Sequence, residues 1–202
     1  MTEETSTEQI IKEAARKIFV RKGYAGARMQ EIAEEAGINK ALLHYYYRTK
    51  DKLFESIFSE IFDQMVVQLK QTITTDKPLV EKLDDFVDRY ISTIEQNPHV
   101  PLFIVNEIAQ NPDRFVEKIK SREMFPEIAD FFQQMMMEME KGNIREMHPL
   151  HFFMNVLSLC AFPFIAKPMV KAISGMDDAT WSALMENRKE EVKNFIHRAI
   201  SN

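Results

Sequence analysis

Cysteine is nearly absent from this 202-residue chain: Cys160 is the only one, which excludes a disulfide framework within the chain. It sits in the apolar run 156–165, so a buried, inert thiol and a reducing cytoplasm are expected. Glycine is scarce too, with five residues, too few for a fold built from tight hairpins. No phosphate-binding loop, nucleophile elbow or paired carboxylates in a shared setting occur, so the chain reads as no enzyme. His148 and His151 are three apart, but Pro149 separates them and no further ligands complete a metal site; no metal or cofactor is expected. Residues 1–9 are polar and acidic, and no later stretch reads as apolar over the roughly 18 residues of a membrane span, so neither export nor a membrane partner is expected.

Basic charge is also lacking overall, at a net −5, which by itself argues against a nucleic-acid partner. The distribution reverses that argument. Residues 16–52 hold nine Lys/Arg against four Asp/Glu, a local +5, whereas everything after Lys52 holds sixteen against twenty-three, or −7. A basic head on an acidic body suggests that one end meets a polyanion.

What is present is apolar spacing of three and four in nearly every segment, the period of an all-α protein with about nine helices. The first is expected from about residue 7 to 22: Ser6 and Gln9 have capping-box spacing, Ile10, Ile11, Ala14, Ala15, Ile18 and Phe19 form the apolar stripe, and Gly23 ends it. A second runs from about 29 to 36, then Gly37 supplies a left-handed turn residue. The third opens at Asn39 as N-cap and ends near Tyr47; Thr49 caps a long fourth helix to about residue 72. Its stripe of Leu53, Ile57, Ile61, Met65 and Leu69 outlasts a three-helix head and must join it to the rest. Further helices are expected over about 79–96, 101–110, 112–142 with an interruption at Pro126, 149–172 disturbed by Pro163 and Pro168, and from an Asp177 or Asp178 cap to the end. The expected division is a head over 1–50 and a helical body over 51–202.

A short helix, a glycine turn and a second short helix form a helix-turn-helix, whose second helix enters the major groove. In the third helix Leu43 and Tyr47 share the inward face with Ile38. The run His44 to Tyr47 steps through about 300°, so at least two polar-tipped rings must lie near the surface, suited to phosphate, sugar or a thymine methyl. Lys50 at the first turn of the fourth helix is misplaced against the helix dipole by about 0.3–1 kcal/mol, and a bound phosphate would reverse the sign, with Thr49 adding a hydroxyl. Each feature has a plainer reading: the rings can be a packing layer, and Lys50 one more solvated lysine. Their concentration within 40 residues favours DNA.

The stretch 23–50, from Gly23-Tyr24-Ala25 through Ile32-Ala33-Glu34-Glu35-Ala36-Gly37 to His44-Tyr45-Tyr46-Tyr47-Arg48-Thr49-Lys50, followed by Leu53-Phe54, resembles the head of the tetracycline-repressor (TetR) family, over about residues 7–60. The resemblance implies a three-helix DNA-binding head, a ligand-binding and dimerisation body, and a homodimer on a palindromic operator. Ile32, Ala33, Ala36 and Gly37 match the family's second helix and turn, Asn39 its usual Ser or Thr cap, Tyr45 a recognition-helix aromatic and Lys50 its phosphate-binding lysine. Arg28, His44 and Tyr46 depart from the pattern, standing where Thr or Ser, Tyr, and His are usual. The DNA-contacting set is therefore Arg28, Gln30, Asn39, Lys40, Ala41, His44, Tyr45, Tyr46, Thr49 and Lys50.

The body has no comparable signature. Phe62, Met65, Phe86, Tyr90, Phe103, Phe125, Phe131, Met135 and Phe152 lie on helical stripes, where plain core is the commoner role of such residues. Thirteen methionines suggest an adaptable interior. Asn106, Glu107 and Asn155, polar within apolar runs, are candidates to orient a largely apolar effector. Phe164, Trp181, Met185, Val192 and Phe195, on the last two helices, are candidates for the dimer contact. The expected function is a regulator, a repressor released from its operator by that effector. The alternative keeps the DNA head and gives the body a protein partner instead.

Overall fold

The computed structural model describes residues 6–98, 100–110, 112–121 and 125–202. Among them are eleven helices and no strand. Helices α1 (Thr7–Gly26), α2 (Met29–Glu35) and α3 (Lys40–Tyr46) form the head, and α4 (Lys50–Ile73) runs from it into a body of α5 (Leu79–Gln96), α6 (Val100–Gln110), α7 (Pro112–Lys120), α8 (Phe125–Glu140), α9 (Pro149–Ser174), α10 (Asp178–Glu186) and α11 (Arg188–Ile200). The two helices beyond the expected nine arise from splitting: 112–142 divides into α7 and α8, and the last segment breaks at Asn187.

The ends of the head helices follow local chemistry. Ser6 and Gln9 make both bonds of the capping box on α1. Gly23, at φ 70°, breaks the helix, yet one more turn follows to Gly26. Gly37 is left-handed at φ 67°, a conformation that side chains with a Cβ rarely adopt. The Asn39 carboxamide accepts from Leu42 N at 2.8 Å, and the Thr49 hydroxyl from Lys52 N at 3.2 Å.

Two apolar cores result. The first joins Ile11, Ile18, Phe19, Ile32, Leu43 and Leu53 with Ile57, Ile61 and Met65 of α4, and reaches Val100 and Phe115 of the body. The second gathers Leu83, Val87, Ile91, Phe131, Met135, Val156, Cys160, Val192 and Ile196. Residue 50 therefore marks no gap in packing, since the first half of α4 belongs to the core of the head. Two ion pairs and a hydrogen-bond contact add to the α5–α11 packing: Lys189 with Glu95 at 3.2 Å, Lys193 with Asp88 at 2.8 Å, and His197 Nε2 with Asp84 Oδ1 at 2.8 Å.

Helix α9 corrects two expectations. Pro163 and Pro168 leave it a single helix of 26 residues. Pro163 has no N–H for the carbonyl four residues back, and that carbonyl, Leu159 O, accepts from Arg188 Nη2 at 2.6 Å instead. The helix is also long and apolar enough to cross a membrane by length and composition, at a mean hydropathy of 1.6, contrary to the expectation that no stretch would be. Phe152, Val156, Cys160 and Ala166 turn into the core, while Leu150, Met154, Phe162, Met169 and Ile173 are exposed.

Candidate nucleic-acid interface

The third helix owes its position to two anchors on one face. Leu43 is 0% exposed and Tyr47 is buried, the Tyr47 hydroxyl donating to Glu8 Oε1 at 2.9 Å. The opposite face is free: Lys40, Ala41, His44 and Tyr46 are exposed, and Tyr45 stands at 81% exposure. The Tyr45 and Tyr46 rings meet edge to face, with centroids 5.6 Å apart, so each restrains the other in the open. The alternative of an aromatic packing layer therefore holds for Tyr47 but not for Tyr45.

Around this face the charges sort themselves by pairing. Arg16 bonds Glu60 of α4 at 3.0 Å, Lys17 pairs with Glu35 at 3.7 Å, and Lys22 with Glu31 at 2.8 Å. The Lys22 hydrogen bond holds the Glu31 carboxyl below the usual carboxylate range. Arg28, Lys40 and Arg48 are exposed and make no ion pair among the described residues. Arg28 opens α2 without a side-chain cap, as its departure from Ser or Thr implies. Arg48 carried no role in the sequence reading beyond its share of the basic segment. It lies between His44 and Thr49, and its carbonyl is 3.2 Å from His44 Nδ1. Gln30 is exposed, with its amide donating to Glu34 Oε1 at 2.9 Å.

Lys50 is more occupied than its sequence position suggested. Its ammonium donates to Tyr24 O at 2.8 Å and Ala27 O at 3.1 Å and lies 4.4 Å from the centre of the Tyr24 ring. Two carbonyls at the end of α1 thus resolve the dipole misfit without an anion. An ammonium has three protons, so one remains for a phosphate oxygen. Thr49, exposed, spends an oxygen lone pair on its cap and keeps its O–H to donate.

Side-chain bonds fasten the head to α4. Lys12 and Arg16 share the Glu60 carboxylate; the Tyr24 hydroxyl donates to the Asp51 carboxylate; Phe54 packs edge-on against Phe19 and Tyr24, each at 4.9 Å. Burial, with the Asp51 bond, pushes the Tyr24 phenol up to about 12. These bonds tie α1 to the first half of α4.

The body corrects several expectations. Phe62, Met65, Phe86, Phe131, Met135 and Phe152 are buried core, and Tyr90 is half-buried against it. Beside Met65, Phe86 and Tyr90 the free space is about 10 Å³, no more than a single water needs. Asn106 and Asn155 are exposed, so neither orients a ligand in an interior pocket; an apolar run does not reveal which of its faces is outward. The side chains of Phe103, Glu107 and Phe125 lie outside the described residues. Of the five dimer candidates, Trp181, Met185 and Val192 are buried within the chain and Phe164 is half-buried, while Phe195 is 58% exposed. The apolar surface of these helices is instead made by Phe195 of α11 with Leu150, Met154, Phe162 and Met169 of α9 and Ile173 at 80% exposure.

Two family models match this chain. Residues 10–57 match the model of bacterial regulatory proteins of the tetR family, and residues 80–196 that of a tetracyclin repressor-like C-terminal domain. A Bacillus subtilis protein named "Probable HTH-type transcriptional regulator YttP" is 26% identical over 171 residues, 83% of this chain and 82% of that one. The HTH-type transcriptional repressor NicS of Pseudomonas putida is 30% identical over 89 residues, 42% of each chain. Among solved structures, the TetR family regulator PfmR of Thermus thermophilus shares the fold at a TM-score of 0.64 and 19% identity, over 95% of this chain and 97% of that one.

Proposed function

The chain belongs to the TetR family of DNA-binding bacterial transcriptional regulators, and from that premise we propose that it is a cytoplasmic homodimeric repressor, released from a palindromic operator by a small, largely apolar effector. The observation that carries the DNA reading is the third helix: Leu43 fully buried on one face, Tyr45 81% exposed on the other, with unpaired cations on both sides. Lys40, Ala41, His44, Tyr45 and Tyr46 read the groove, while Arg28, Arg48, Thr49 and Lys50 hold the sugar-phosphate edge. One head offers few contacts. Two heads about 34 Å apart reach successive major grooves, and the apolar face of α9 and α11 is the surface that brings two copies together. Exposed apolar patches of this extent mark interaction sites in soluble proteins.

The test is binding to an operator selected from random duplex DNA, at several salt concentrations. Lys50→Ala is expected to weaken binding to every sequence and to lower the salt slope by about one, whereas Lys40→Ala and Tyr45→Ala also alter sequence preference. Unchanged affinity in all three would remove the assignment. The small free space beside Met65, Phe86 and Tyr90, with Leu102, Val105 and Ile108 exposed at three-residue spacing on α6, favours a second reading in which the body docks a protein. A thermal-shift screen separates the two, because a ligand bound to the native state raises its stability in proportion to ln(1 + [L]/Kd).

A further inference from the structure

A cavity of about 40 Å³ lies where the head meets the body. Phe19 of α1, Ile57, Phe58 and Ile61 of α4, and Val100 of α6 form its apolar wall, with Arg16 and Asn97 as polar members. Arg16 is not fully satisfied there: Nη2 bonds Glu60, but Nε is buried with no hydrogen-bond partner. A buried N–H without an acceptor is unfavourable, and a ligand oxygen would relieve it. Asn97 donates its amide to Thr93 O at 3.0 Å, so its carboxamide is held by α5 rather than by the head.

Ion pairs hold α1 to α4 on one side of this cavity, and on the other the α5–α6 corner meets α4 through Val100 in the shared core and through Thr93, whose hydroxyl donates to Gln68 Oε1 at 3.0 Å. α1 and α4 are joined by the shared Glu60 carboxylate, by the Phe19–Phe54 contact and by a continuous core. The corner between α5 and α6 is closed by its own short backbone bonds, Asn97 N to Ile94 O and Val100 N to Asn97 O, both 3.0 Å. A cavity of about 150 Å³ accommodates one benzene ring, so a ring-sized guest must widen this one of about 40 Å³.

We propose that this junction is an effector site for a small neutral molecule of about one aromatic ring carrying a single acceptor oxygen, whose entry moves the α5–α6 corner away from α1 and α4. The oxygen accepts from Arg16 Nε, and the ring replaces contacts among Phe58, Ile61 and Val100. Neutral ligands are favoured because Glu13 and Glu60 already flank Arg16, and a carboxylate would meet both. Since α1 is tied to the first half of α4, a guest that binds only the widened state shifts the population towards the head orientation found in that state. This rests on the effector-responsive reading above and assigns it a place different from the body interior.

The experiment uses the full-length dimer, calorimetry with acetophenone and with ethylbenzene (the same shape without an acceptor), and methyl NMR. Wild type is expected to bind one acetophenone per chain at least threefold more tightly than ethylbenzene, with the largest shifts on the methyls of Ile57, Ile61 and Val100. Val100→Phe, which fills the space, is expected to weaken acetophenone at least tenfold. Arg16→Lys, which removes Nε, is expected to abolish the preference over ethylbenzene. The site is overturned if acetophenone does not bind, or if the shifts centre on body methyls such as Leu83 and Val156. The NMR arm decides even if Val100→Phe fails to fold. Operator release is read separately: an apolar compound that still releases the Val100→Phe dimer leaves effector control standing and removes this site.

Discussion

In the head, α2 and α3 are helices of seven residues each, too short to hold in water alone, and each is placed by a cap, a glycine or an inward anchor such as Leu43. In the body, α9 runs 26 residues and is placed by what covers it, with an apolar face left exposed. The head is thus ordered mainly by signals a few residues apart, whereas the body is ordered by packing between distant helices. Under the proposed homodimer, the exposed apolar face of the body is where a second copy docks.

The sharpest test of this contrast compares two core truncations. Leu43→Ala and Met135→Ala are each expected to cost about 2–5 kcal/mol. Leu43→Ala should also remove DNA binding, while Met135→Ala should leave the recognition helix formed, as amide exchange in α3 would report. Next in size is the exposed apolar face, the proposed dimer contact. Phe195→Asp is expected to weaken self-association by about 2–4 kcal/mol without unfolding the monomer, because Phe195 is exposed there; sedimentation of a stable monomer is the expected result. If the dimer persists, α11 does not carry the interface.

A smaller pair of changes asks whether the same device works in both regions. Lys50 takes up two carbonyls at the end of α1, and Arg188 takes up the Leu159 carbonyl freed by Pro163. Lys50→Met and Arg188→Met are each expected to cost about 1.5–3 kcal/mol, with exchange protection lost around Ala27 in one case and Pro163 in the other.

The smallest effect is silent at neutral pH. Burial pushes the Cys160 thiol up to about 12 from 9.0, and the Tyr24 phenol up to about 12 from 10.0. Both groups stay protonated in the fold while the unfolded chain loses the proton, so their contribution is complete below pH 9 and declines as pH rises towards 12. Urea midpoints measured from pH 8 to 11 should begin to fall near 9. Cys160→Ala should delay that fall to near 10, where burial raises the phenols of Tyr24, Tyr47 and Tyr90 alike, and Tyr24→Phe should reduce the part that remains.

The head was legible because its signals are local. Ser6 with Gln9, Asn39, Gly37 and Thr49 act within three or four residues of themselves, and the 100° step of a helix was enough to send Leu43 and Tyr47 inward. The body was legible only as helices. Trp181, Met185 and Val192 lie on an apolar stripe that periodicity detects, but the stripe faces the chain's own core rather than a partner, and periodicity does not name what covers a face. Asn106 and Asn155 face outward for the same reason, and Asn155 lines a surface groove with Leu159, Phe162, Arg188 and Phe195 instead of an interior pocket.

Helix-forming pattern, caps, turn glycines and the basic segment were determined by the amino-acid order alone, because each depends on neighbours a few bonds away. The partners of Lys50, the carbonyl captured by Arg188, the shared carboxylate of Glu60 and the cavity at the junction were decided only by the tertiary structure. Each joins residues 20 or more positions apart, and which of them meet depends on how whole helices pack, a sum over many weak contacts that no short stretch contains.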